Sequence, residues 1–132
     1  MNLLLDTQAL LWWRQGNARR LGPRARAAIE RGATAVRVSA VTAWELAIKS
    51  RTGRLELREP LHRWFRTAID ESGFVALSIT VDHAVAVAGL PDHHGDPFDR
   101  LLIAQARLEK LTILTADAVF DDYDVDVLDA RE

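Results

Sequence analysis

Short apolar runs alternate along the chain with longer stretches in which apolar residues recur every three or four positions, the pattern of strands interleaved with helices. Leu3, Leu4 and Leu5 form the first run, so residues 2–6 are expected as a buried strand. Residues 7–14 then read as a helix, and residues 22–31 as another with Pro23 in its first turn. Residues 35–38 form the second expected strand. Ser39 offers an N-cap to a helix that runs to about Arg51 and is closed by Gly53. Leu61, Trp64, Phe65, Ala68 and Ile69 keep the spacing of a single apolar helix face, which Gly73 ends. Beyond it the pattern predicts a strand at 74–79, helices at 81–88 and 97–110, a strand at 111–115, a short helix at 117–121 and a last strand at 126–128. Strands separated by helices pair in parallel through right-handed crossovers. The expected fold class is therefore α/β, a three-layer α/β/α sandwich around a central, mainly parallel sheet.

Composition narrows the function without changing the fold. The 132 residues, 48% hydrophobic and 27% charged, suit one soluble globular domain spanning 1–132, with no linker or repeat to divide it. With 0 Cys, disulfide scaffolds, cysteine-based zinc fingers and cysteine nucleophiles are excluded. The N-terminus lacks a basic region and meets an acid at Asp6, unlike a secretory signal, and no apolar run reaches the ~20 residues of a membrane span. A cytoplasmic location without membrane contact is expected. The net charge of −2 hides a division: residues 1–66 hold 13 Lys and Arg against 5 Asp and Glu, whereas residues 67–132 hold 4 against 14. A basic surface that meets phosphates beside an acidic one that holds cations would account for this, as would helix faces that merely differ. Fifteen of the 17 basic residues are arginine, which favours bidentate contact with phosphate.

Four acids stand where acids are unusual. Asp6 ends the first apolar run and Asp117 follows the run 112–115, so both lie beyond the carboxyl ends of strands, where open α/β sheets bind ligands. Each position also suits a helix N-cap. Glu45 falls inside the stripe formed by Val41, Trp44 and Ile48, where a carboxylate is costly unless paired or metal-bound; an ion pair with Lys49 is the alternative. In Asp96-Pro97-Phe98-Asp99, Asp96 is an N-cap candidate and Asp99 lies on the side of Leu102, Ile103 and Ala106, either facing a cation or closing a capping box. Carboxylates gathered at one mouth repel by about 4 kcal/mol per pair at 4 Å and an effective dielectric near 20, so they need a counter-charge. All-oxygen ligation selects Mg²⁺ or Mn²⁺ over zinc.

These residues resemble a known family. Leu3-Leu4-Leu5-Asp6-Thr7 and Ala9-Leu10-Leu11-Trp12-Trp13 open the chain, and Ser39-Ala40-Val41-Thr42-Ala43-Trp44-Glu45 continues through Lys49. Leu90-Pro91 with His94 then precedes Asp96-Pro97-Phe98-Asp99-Arg100, whose pattern extends through Ala106, and Leu114-Thr115-Ala116-Asp117 closes the series. Together they are similar to PIN-domain nucleases, most closely the VapC-type toxins of type II toxin–antitoxin systems. The likeness spans nearly the whole chain, and the segment 96–106 is its most specific part. It implies a PIN-like fold and a Mg²⁺-dependent (or Mn²⁺-dependent) endoribonuclease that hydrolyses RNA with a metal-activated water. Asp6, Glu45, Asp99 and Asp117 would be the catalytic, metal-holding acids, with Asp96 a supporting acid and Thr115 an orienting hydroxyl. A cognate antitoxin is the implied protein partner. Gln8 departs from the family, whose members commonly place His there.

Arg14, Arg19, Arg20, Arg24 and Arg26 form the basic cluster nearest the first strand's mouth and are candidate RNA contacts; a solvated helix face is the alternative. Trp12, Trp13, Trp44 and Trp64 fit helix packing better than base stacking, and the surplus of apolar helix face points to a homodimer and a groove for a partner helix. His93 and His94 lack a helical ligand spacing and read as loop residues. A receiver domain would need an acidic pair at the first strand, and a haloacid-dehalogenase-type phosphatase a second Asp where Gln8 stands. The remaining alternative is a catalytically silent RNA- or protein-binding module on the same fold.

Overall fold

The computed structural model describes residues 1–32 and 35–132. Among the described residues, five strands form one parallel sheet in the order β3-β2-β1-β4-β5: β1 (Asn2–Leu5), β2 (Ala35–Ser39), β3 (Val75–Leu77), β4 (Thr112–Thr115) and β5 (Val127–Asp129). The helices are α1 (Thr7–Gln15), α2 (Pro23–Ala27), α3 (Ala40–Arg51), α4 (Leu61–Ser72), α5 (Val81–Ala86) and α6 (Pro97–Glu109). The α/β sandwich expected from the alternation is what forms. None of the described helices is long and apolar enough to cross a membrane.

The period of two along each strand builds the three layers. Leu3 and Leu5 face a core shared with α1, α2 and α4, through Leu10, Trp12, Ala25 and Ala68. Leu4 and Ile113 face the opposite core, completed by Val41, Leu102, Ile103 and Phe120. Both sides of β1 are therefore covered, which is why its three leucines are fully buried. Strand order reverses between β1 and β4: the chain builds outward from β1 to β3 on one side, then crosses to place β4 and β5 on the other. That switch point opens a crevice at the carboxyl ends of β1 and β4.

Local chemistry fixes the helices that border the crevice. Ser39 caps α3 by accepting from the Val41 N–H and donates its own proton to Gln105 Oε1 of α6 at 2.5 Å. Gln105 Nε2 in turn donates to the Ser78 carbonyl at 3.3 Å, so one buried polar network sets β2, α3 and α6 in register.

Several boundaries differ from the sequence pattern. The helix expected at 22–31 is regular only over Pro23–Ala27 and then widens into a π-turn at Ala28–Gly32. The strand expected at 74–79 shortens to Val75–Leu77, because this edge strand pairs only with residues 37–39 of β2; Phe74 instead packs against Trp13, ring centroids 6.1 Å apart. The helix expected at 81–88 tightens into a 3₁₀ turn at Val87–Gly89, and that expected at 117–121 is a 3₁₀ turn at Ala118–Asp122.

Gly22 lies against the last residues of the chain. Its N–H donates to the Ala130 carbonyl at 2.8 Å, and a Cβ there would sit 2.3 Å from the Arg131 carbonyl oxygen. Gly22→Ala is expected to destabilise the fold by about 1–3 kcal/mol by forcing this backbone apart. The check is a lowered urea midpoint with an unchanged slope.

Candidate functional site

Asp6 emerges from β1 into the crevice and caps α1, its Oδ1 accepting from the Ala9 N–H at 2.8 Å. Its Oδ2 accepts from the Thr115 hydroxyl at 2.5 Å, which ties the end of β1 to the end of β4. Thr115 Oγ1 also accepts from the Asp117 backbone N–H at 3.0 Å, so the hydroxyl orients the Asp6 carboxylate and fixes the backbone that carries Asp117. Asp117 caps the 3₁₀ turn that follows, accepting from the Val119 N–H. The capping roles foreseen for Asp6 and Asp117 are real, and each still leaves lone pairs open to the crevice.

Glu45 enters from α3. The sequence pattern placed it in a stripe with Trp44 and Ile48, but those side chains are 50% and 42% exposed. The buried stripe is Val41, Thr42 and Leu46, because the Ser39 cap and its bond to Gln105 rotate α3 that way. Glu45 and Lys49 continue that stripe by helical spacing. The carboxylate accepts from the Thr7 hydroxyl at 2.7 Å and pairs with Lys49 Nζ at 2.6 Å. Trp44 turns outward to meet Phe98 edge-on, ring centroids 4.8 Å apart.

Asp99 comes from the first turn of α6. Asp96 caps this helix, its Oδ1 accepting from the N–H groups of Phe98 and Asp99. Asp99 makes no reciprocal box; its Oδ2 lies 2.8 Å from His94 Nε2. One ligand atom from each of His94, Asp96 and Asp99 falls within 4.8 Å of the others.

These elements enclose one cavity of about 370 Å³, lined by Asp6, Thr7, Gln8, Glu45, Lys49, Asp96, Asp99, Ala116, Asp117 and Phe120. All four candidate acids and the supporting Asp96 share it, with Thr115 behind Asp6. Burial pushes Asp6 up to about 6, with the charges of Glu45 and Asp117 adding to it against the hydrogen bonds from Thr115 and Ala9. Burial also pushes Asp99 up to about 6, reinforced by Asp96 and Glu45 and opposed by His94. Two carboxyls so displaced mark a place short of positive charge, and the oxygen donors around them suit a hard divalent cation. Lys49 is the one basic residue lining the cavity among the described residues.

The arginines of the 14–26 region have individual partners. Arg14 is held by Glu71 at 3.3 Å and by Ser72 at the end of α4, and Arg20 lies over the Trp12 ring at 6.0 Å. Arg19 is exposed and Arg26 half-buried. Arg24 pairs with Glu132 at 3.2 Å and lines a second cavity, next to the first, with Asp117 and Arg131. The sequence pattern reads His94 as a loop residue near the site, at a position the family motif often fills with His, and Lys49 as the alternative partner of Glu45. His94 stands two residues before the extended Asp96 cap, which sets it beside the first turn of α6.

Comparison with known proteins bears on the whole chain. By sequence, no curated protein matches significantly. Among solved structures, VapBC2 from Rickettsia felis bound to a promoter DNA fragment aligns with a TM-score of 0.71 and 12% identity, over 97% of this chain and 98% of that one. A toxin–antitoxin complex from Klebsiella pneumoniae aligns at 0.65 and 22% over 98% of both chains, and FitAcB from Neisseria gonorrhoeae at 0.59 and 21% over 97% of both. These likenesses speak to the fold. The profile of the PIN domain matches residues 3–126, and the chain belongs to the PIN domain family.

Proposed function

We propose that this PIN domain is a divalent-metal-dependent endoribonuclease and the toxin of a toxin–antitoxin pair. The observation that carries the reading is the single cavity lined by Asp6, Glu45, Asp99 and Asp117, with Asp6 and Asp99 both held near 6 chiefly by burial, to which the neighbouring carboxylates Glu45, Asp117 and Asp96 add. The similarity to toxin–antitoxin complexes from Rickettsia felis and Klebsiella pneumoniae supports the biological setting. Asp6, Asp99 and Asp117 would hold Mg²⁺ or Mn²⁺, with Glu45 binding directly or through water. When bound, the ion would neutralise charge on the phosphate and activate a water for in-line attack, giving 5′-phosphate and 3′-hydroxyl ends. Thr115 fixes the orientation of the Asp6 carboxylate and the backbone at Asp117, and Thr7 fixes Glu45. Lys49 balances Glu45 and keeps an ammonium at the cavity wall, where a phosphate oxygen would approach. No side chain is required as a covalent nucleophile.

RNA would reach the cavity past the arginines of the 14–26 region, with Arg24 adjoining Asp117. Binding measured with catalytically inactive protein should weaken roughly tenfold or more between 50 and 200 mM salt if about three phosphates of a single strand are neutralised. Affinity unchanged over that range would remove the arginines from this role. Exposed Trp44, Ile48 and Val75, together with the groove lined by Leu61, Phe65 and Ile69, supply apolar surface for a second copy and for a cognate antitoxin. The functional test is incubation of purified protein with single-stranded RNA, with and without Mg²⁺. Metal-dependent endonucleolytic cleavage is expected, whereas RNA binding without cleavage would identify a silent binding module.

A further inference from the structure

Asp99 and Arg100 are successive residues on α6, about 100° apart around the helix, so they face different surroundings. Asp99 lines the acidic cavity, while Arg100 turns to the segment that precedes the helix. Its Nη1 donates to the Pro91 carbonyl at 2.8 Å, and to the His94 carbonyl and the Tyr123 hydroxyl at 3.4 Å. Its Nη2 donates to the Val87 and Leu90 carbonyls at 3.2 and 3.4 Å. One guanidinium thereby gathers four carbonyls from the stretch leading to His94. The stretch is pinned from its other side too, for Leu90 is buried and the His93 ring stands edge-on to Tyr123 at 5.3 Å. At the end of this clamp His94 Nε2 meets Asp99 Oδ2 at 2.8 Å, and at pH 7.5, where the carboxylate is ionised and can only accept, the ring nitrogen is the donor.

We propose that Arg100 and His94 are positioning residues for Asp99. Arg100 fixes the backbone that carries His94, and the imidazole fixes the rotation of the Asp99 carboxylate, leaving its other oxygen for a ligand. The inference rests on the metal-centre reading for what Asp99 holds and goes beyond it in assigning what holds Asp99. Orientation of a ligand by an imidazole behind it sets metal affinity, because a carboxylate free to rotate must be ordered when the ion arrives. Lysine cannot substitute for this arginine: its three donors radiate from one atom, whereas the planar fork spans carbonyls several residues apart.

The experiment combines imidazole ¹⁵N NMR on the metal-free protein with calorimetric Mg²⁺ titration of wild type, R100K, H94A, H94Q and R100K/H94A. Wild type should show His94 as a single Nε2–H tautomer, and R100K an averaged one. R100K and H94A should each bind Mg²⁺ about 10-fold or more weakly. The double variant should bind no more weakly than H94A, because both changes break one chain of contacts. H94Q, which keeps an N–H donor, should recover part of the loss. Wild-type tautomer and affinity in R100K would overturn the proposal, as would losses that multiply in the double variant. If R100K fails to fold, equal Mg²⁺ affinity in H94A and H94Q overturns it. If wild type binds no Mg²⁺, the metal-centre reading fails, and the His94 tautomer in R100K alone decides the positioning claim.

Discussion

Asp6→Asn is expected to slow Mg²⁺-dependent cleavage of single-stranded RNA on the order of a hundred- to a thousand-fold while leaving the protein folded. The substitution is nearly isosteric, and asparagine keeps an oxygen that can still accept from the Ala9 N–H and cap α1. What it removes is a negative charge held at the switch point between β1 and β4, against the Thr115 hydroxyl and in the same cavity as Glu45 and Asp117. A single-turnover time course with excess enzyme reads the chemical step directly. Cleavage at the wild-type rate in a nuclease-free preparation would sink the assignment of Asp6.

The second large effect is on stability, and it runs against intuition. In the folded protein Asp6 and Asp99 titrate at about 6, against 3.8 for a free side chain, so the metal-free fold retains protons that the unfolded chain has already released. Their contribution to stability is complete below about pH 4 and is lost as pH rises through 6. For the buried Asp6 a displacement of this size corresponds to about 3 kcal/mol. Metal-free protein should therefore melt at a higher temperature near pH 5 than at pH 7.5. Asp99→Asn should flatten the profile and leave stability at pH 7 unchanged or raised. Mg²⁺ acts in the opposite direction, stabilising wild type by about 2.7 kcal/mol at a hundred times its dissociation constant, and more weakly at pH 5, where protons compete. Asp99→Asn should abolish most of this gain. A large loss of metal-free stability in Asp99→Asn would mean that the carboxylate is there to hold the helix start.

Most of the architecture was legible because the fold writes it in short periods. Three successive leucines before an acid announce a strand buried on both faces, and Ser39, Asp96 and Pro97 announce helix starts that the structure keeps. Asp6 and Asp117 were visible because strand ends are where such sheets bind. Glu45 was visible for a partly mistaken reason: α3 is rotated by a polar network joining Ser39 to Gln105, residues 66 positions apart, and nothing in the local pattern encodes that contact. Strand order was likewise invisible, since crossover alternation leaves open on which side of β1 the fourth strand lands. The contact of His94 with Asp99 was obscured because it depends on the irregular loop before α6 and on Arg100 gathering carbonyls of that loop, an arrangement with no helical or strand spacing to reveal it.

The central claim is that acids from β1, α3, α6 and the end of β4 together hold a divalent cation. Its most direct test is anomalous diffraction from crystals soaked in Mn²⁺, which locates the ion without reference to activity. An anomalous peak is expected inside the cavity, within coordination distance of carboxylate oxygens from Asp6, Asp99 and Asp117. A cavity without a peak at saturating Mn²⁺, or an ion bound elsewhere while these acids face water, would contradict it.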